Sequence, residues 1–134
     1  MAFNWLEYLN LAERLSRTTD EASLLSAISR AYYFVFHLAN ARAVANNYRR
    51  QDDATTHKSL WQHYARNDNR DCRMVAVIGQ RMLQKRHKAD YEDDYVRISE
   101  EMVEALLSAK RFASIVEALP PQFPEDPPPR TYSY

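Results

Sequence analysis

The chain has 134 residues, a single-domain length, with one glycine and six prolines that all fall at or after Pro120. Strand-rich folds need turn residues at short intervals, so a β-rich or doubly wound fold is excluded over the first 119 residues or so. Apolar residues make up 46% and charged residues 27%, with 18 basic and 18 acidic side chains, which excludes a disordered chain and predicts one globular core.

Asn4 is placed to cap a first helix to about Arg17, carrying Trp5, Leu6, Leu9, Ala12 and Leu15 at three-to-four spacing. Thr18-Thr19-Asp20 breaks it and re-caps a long second helix from Glu21 to about Tyr48. Leu24, Leu25, Ile28, Tyr32, Val35, Phe36 and Ala39 give that helix one broad apolar stripe and make it the expected spine. The polar run NNYRRQDDATT reads as a loop. Thr55 or Thr56 then caps a short third helix with His57, Leu60, Trp61 and Tyr64.

A fourth helix is predicted from Asp71 to about Lys85, with Gly79 inside it allowing close approach of a neighbour. RHKADYEDDY reads as the junction to a fifth helix, which continues through Val96, Ile98, Met102, Val103, Leu106, Leu107, Phe112, Ile115, Val116 and Leu119. Residues 120–134, PPQFPEDPPPRTYSY, cannot be helical and read as an extended tail. The prediction is an all-α, up-and-down bundle of five helices over residues 1–119, followed by a proline-rich flexible tail over 120–134. In an extended tail, Tyr132 and Tyr134 are available to dock on a partner.

Charge is segregated along the chain. Arg42 to Lys88 holds eleven basic residues against four acidic ones, whereas Asp90 to Asp126 holds ten acidic against three basic. Arginine outnumbers lysine fourteen to four, and its planar fork fits phosphate and carboxylate. Two arrangements fit: a basic region (Arg42, Arg49, Arg50, Arg81, Lys85, Lys88) that contacts nucleic-acid phosphates, or two halves that pair with each other in a helical ion network. The lone Cys72 suits a reducing cytoplasm. The first residues carry no basic segment followed by an apolar one, and no stretch is apolar enough to span a bilayer, so a cytoplasmic protein without membrane contact is expected.

Three stretches stand in order: SAISRAYYFVFHLANAR on the long helix, THKSLWQHYAR opening the short one, and KRHKADYEDDY after the fourth. Together they resemble the HEPN superfamily, closest to its small stand-alone members with the pattern SRAYYAxFHAA, THK, RxxADY, over about residues 20–110. The resemblance implies an all-α homodimer in a group rich in metal-independent ribonucleases and toxin–antitoxin or defence proteins. Active members carry an Arg, four to six residues, then His, and two protomers bring these over an RNA phosphate. Arg86 takes the Arg position, and Tyr91 stands where the His is expected. Arg holds developing phosphate charge and His moves protons near neutral pH, whereas Tyr titrates near 10.

The candidate catalytic set is therefore Arg86, His87, Asp90 and Tyr91, together with Arg30 and His37, which share one face of the long helix two turns apart. Arg86 and Asp90 also stand at the spacing of a helical ion pair. His57 reads as a helix-start residue and His63 as a surface one. The acidic run after Asp90 lacks calcium-loop spacing, and a single Gly excludes a glycine-rich phosphate loop, so neither a metal nor another cofactor is expected. The resemblance admits two functions: RNA binding or cleavage by a homodimer, or a non-catalytic module that binds a partner protein such as a nucleotidyltransferase-type antitoxin.

Overall fold

The computed structural model describes residues 4–126, which form five helices and no strand: α1 (Leu6–Ser16), α2 (Glu21–Ala45), α3 (Thr56–Ala65), α4 (Arg70–Tyr91) and α5 (Ile98–Ala118). The predicted helical bundle, with its long central helix, is the one found. Among the described residues, no helix is long and apolar enough to cross a membrane.

Local chemistry sets the helix starts. Asn4 Oδ1 accepts from the Leu6 amide at 3.1 Å, Asp20 Oδ1 from Ser23 N at 2.8 Å, and Asn69 Oδ1 from Asp71 N at 2.8 Å and Cys72 N at 3.0 Å. At α3 the cap differs from the expectation. Thr55 makes no side-chain cap; Asp53 Oδ1 instead accepts from Thr55 N at 2.7 Å, and the Thr56 hydroxyl ties back to the main chain of Gln51 and Asp53. The end of α2 also comes three residues early, because Asn47 takes a left-handed φ of 73° that closes the helix, as Asn tolerates.

The largest difference lies in α4, which runs through Tyr91 rather than stopping at Lys85. RHKADY holds no Gly or Pro, buries Ala89, and joins Arg86 to Asp90 one turn apart, so the helix continues and the expected junction becomes its last turns. The start of α5 waits for the left-handed Arg97, which leaves Val96 outside the helix and exposed.

At 25 residues, α2 is about 37 Å long and packs against all four other helices. Trp5 meets His37 while Tyr8 meets Arg30, so α1 runs antiparallel to α2. Asp90 reaches Ser29, bringing the end of α4 to the first half of α2. The short α3 drives Trp61 into the centre, where its ring meets Phe112 edge-on at 6.0 Å. Gly79 is required there: a Cβ on it would lie 2.5 Å from the Trp61 ring. Tyr32, Phe36, Tyr64 and Phe112 complete the fully buried aromatic centre.

On α5 the buried positions are Met102, Ala105, Ala109, Phe112 and Val116, whereas the apolar Val103 and Leu107 stand one turn apart on the solvent side. A tail is expected from residue 120, but residues 120–126 lie against the bundle. Pro124 is buried and the Glu125 amide donates to Asn67 Oδ1 at 2.8 Å, so the chain lies on the bundle through this stretch. The rest of the proline-rich segment, including Tyr132 and Tyr134, lies outside the described residues.

Candidate functional site

The three sequence stretches converge at one end of the bundle. α2 presents Ser29, Tyr32 and Tyr33 on neighbouring turns, α3 brings His57 in its first turn, and α4 brings Arg86 and Asp90 from its last turns. Ser29 Oγ donates to Asp90 Oδ1 at 2.5 Å, and Arg86 Nη1 donates to the Tyr33 hydroxyl at 3.0 Å. Arg86 Nε lies 3.5 Å from Asp90 Oδ2, an ion-pair separation without hydrogen-bond geometry. The guanidinium also sits 5.7 Å from the Tyr32 ring centre and 5.5 Å from that of Tyr33. With its side chain only 11% exposed, Arg86 is enclosed by aromatic faces and one carboxylate.

Beneath Arg86 runs a chain of buried polar groups. Trp61 Nε1 donates to the Tyr32 hydroxyl at 3.2 Å, and that hydroxyl is 2.6 Å from His57 Nδ1. A hydroxyl that accepts from Trp61 gives its own proton to His57, which assigns the His57 proton to Nε2. Burial, with the positive charges of Arg86 and Arg50 nearby, pulls the His57 pKa down to about 4. Burial pushes the Tyr32 hydroxyl in the opposite direction, upward. Both groups are neutral at pH 7.

Beside this cluster a groove of about 620 Å³ opens between α1, α2 and the end of α4. Trp5, Tyr8, Arg30, Tyr33, His37 and Asp90 line it. Trp5 stacks on His37 with ring centres 3.5 Å apart and planes 6° from parallel. The Arg30 guanidinium lies 5.3 Å over the Tyr8 ring and has no hydrogen bond or ion pair among the described residues. Burial, and Arg50 after it, lower the His37 pKa to about 4, so this ring too is neutral at pH 7. A second, more apolar groove of about 500 Å³ lies on the other side of the Trp5–His37 stack, between α1, α2 and α5.

Of the predicted site residues, Arg86 and Asp90 are brought together, while Arg30 and His37 face the groove that Asp90 closes. His87 and Tyr91 fall on the outer face of α4. They stack on each other with ring centres 5.8 Å apart, and Tyr91 is 74% exposed, outside the cluster.

The basic set divides: Arg81, Lys85 and Lys88 line one pocket together with Glu101 and Glu104, while Arg42 is turned to the end of α5. Arg42 donates to the carbonyls of Leu119 at 2.9 Å, Pro120 at 2.7 Å and Phe123 at 2.8 Å, so it caps the end of α5 and leaves the phosphate set. Lys85 pairs with Glu101 and with Glu104, the latter at 3.2 Å, one instance of the pairing between halves that charge segregation allows. Arg50 pairs with Asp52 at 3.2 Å and lies over the Phe36 ring. Arg49, Arg81 and Lys88 remain exposed.

Sequence reasoning passed over Ser29, Tyr33 and His57 as site residues. Their signal was present: Ser29 and Tyr33 are i and i+4 within SRAYY, and His57 is the centre of THK. His63, expected on the surface, is 5% exposed and packs on Tyr48 with ring centres 4.5 Å apart. No protein-family model, no curated protein and no solved structure matches the chain.

Chemically, the enclosed Arg86 is paired with Asp90 above a neutral Tyr32 and His57, whereas the groove has aromatic walls beside Arg30, which has no ion pair among the described residues. The first arrangement holds structure together; the second is suited to binding a flat, anionic ligand.

Proposed function

We propose that this chain is a HEPN-like module that binds single-stranded RNA in the groove between α1, α2 and α4, with Arg86 as an architectural rather than a phosphate-holding residue. The observation that carries the reading is the pairing of aromatic walls, Trp5, Tyr8 and Tyr33, with the open guanidinium of Arg30. Single-stranded nucleic acid is held by stacking of bases on such faces and by cations that follow the backbone. Against cleavage stand the enclosure of Arg86, the exposed Tyr91 in place of a His, and the neutral, bonded state of His57.

The test is anisotropy of labelled single-stranded RNA at two salt concentrations, with cleavage followed in EDTA. Wild type is expected to bind with affinity that falls as salt rises, Arg30→Ala to weaken binding about tenfold, and no product to form. Equal binding by Arg30→Ala, or none by wild type, refutes the groove. Cleavage in EDTA that is lost in His87→Ala moves the chemistry to the exposed His87 and restores the ribonuclease reading.

A second reading, self-association, draws on the exposed Val103 and Leu107 of α5. Val103→Asp is then expected to shift sedimentation from dimer to monomer while leaving RNA binding per protomer unchanged.

A further inference from the structure

Far from the Arg86 cluster, at the other end of α3, a small pocket of about 160 Å³ forms between α3 and the loop that follows α2. Ser59, Gln62, His63 and Arg66 line it from one face of α3, at the i, i+3, i+4, i+7 spacing, and Tyr48 and Gln51 line it from the loop. Among the described residues, no carboxylate is in its walls.

Two of its polar groups are buried without a hydrogen-bond partner among the described residues. These are His63 Nε2, on a residue 5% exposed, and the Tyr48 hydroxyl. Buried polar atoms are paired almost everywhere in folded proteins, so two orphans on one pocket wall call for a ligand. The other groups there add donors. Arg66 has no ion pair and the Gln62 amide no hydrogen bond among the described residues, and Gln51 makes one long contact of 3.4 Å to the Arg49 carbonyl.

Charge around the pocket is mixed. Arg50 and Arg66 both act on the Tyr48 hydroxyl, against the burial that raises its pKa, whereas at His63 the Asp126 carboxylate outweighs Arg66. A volume of about five waters suits a tetrahedral oxyanion and excludes a nucleoside.

We infer that this pocket binds a phosphate group, held by Arg66, the Gln62 amide, the Tyr48 hydroxyl and His63. Arg66 supplies charge and the remaining groups supply neutral hydrogen bonds, the combination that makes anion contacts short and strong. The site shares no residue with the RNA groove and does not rest on it. Two sources have the same chemistry: free inorganic phosphate, and a terminal phosphate monoester of a nucleic acid.

The test is a titration of the full-length protein with inorganic phosphate, followed by amide and side-chain NMR at constant ionic strength against chloride. Saturable shifts at Gln62, His63 and Arg66 are expected. Arg66→Ala, an exposed change that leaves the fold intact, should raise Kd about tenfold, and Tyr48→Phe should raise it several-fold. Shifts that chloride reproduces overturn the proposal, and so does saturable binding that Arg66→Ala leaves unchanged.

The source is read in an Arg30→Ala background, where binding in the groove is weakened. Tighter binding of a 5′-phosphorylated oligonucleotide than of its 5′-hydroxyl form, lost with Arg66→Ala, assigns the site to a nucleic-acid end. Equal binding of the two, with inorganic phosphate still taken up, assigns it to the free anion.

Discussion

The short helix α3 carries two histidines, and they face opposite circumstances. His57, in its first turn, shares a hydrogen bond with Tyr32 beneath an arginine that is itself enclosed by partners. His63, near its end, is more deeply buried, yet its Nε2 has no hydrogen-bond partner among the described residues and lies in the wall of a pocket. Burial lowers the pKa of both rings. Partnership, not burial, separates a polar group that stabilises the fold from one poised to bind, and the same contrast divides Arg86 from Arg30 and Arg66.

The comparison breaks most visibly at Arg86. Arg86→Ala strands Asp90 and the Tyr33 hydroxyl and opens a void against two tyrosine faces, so urea denaturation should show a loss of about 2–4 kcal/mol. Full stability with abolished RNA binding would instead make Arg86 a ligand contact and remove the contrast. Next comes Tyr32→Phe, which leaves Trp61 Nε1 and His57 Nδ1 without their shared hydroxyl. It should cost about 1–2 kcal/mol by the same assay, because two buried groups lose a partner at once.

Acid tests the buried histidines together. His37 and His57 titrate near 4 when folded and near 6.5 when unfolded, so below pH 6.5 the unfolded chain takes up protons that the folded chain refuses. Stability is therefore expected to be level above pH 6.5 and to fall between 6.5 and 4, with His63 adding in the same direction. Thermal unfolding across that range checks it, and a flat profile would mean that the rings are already charged or freely solvated in the fold.

The smallest effects sharpen the contrast from its other side. Arg66→Ala and Tyr91→Ala remove exposed side chains and should each change stability by less than about 0.5 kcal/mol. A large loss at Arg66 would show that it holds the fold rather than awaiting a ligand.

Much of the fold was legible because helix-forming rules act locally. Asp20 caps α2 as expected, the Asn4 side chain accepts from the first amide of α1, and the α2 stripe from Leu24 to Ala39 faces the core as its spacing predicts. Even the role of Gly79 could be anticipated, since a lone glycine within a helix costs stability unless a neighbour needs the space. The ends were harder to read. The continuation of α4 to Tyr91 depends on Arg86 meeting Asp90 while Ala89 is covered, and the packing of residues 120–126 onto the bundle depends on Arg42 and Asn67, distant in sequence.

The candidate site divides in the same way. That SRAYY, THK and RxxADY form a set was visible in their order, but not that Ser29 would bond Asp90, that Tyr32 would link Trp61 to His57, or that Tyr91 would point to solvent. The number, order and apolar faces of the helices follow from spacing, caps and missing breakers, all interactions within a few residues. Which arginine is enclosed, which is open and which histidine lacks a partner follow from contacts across 25 to 80 positions, such as Tyr32 with His57 and Arg42 with Phe123. Only packing of the completed bundle decides these, because a polar group's worth depends on what burial leaves beside it.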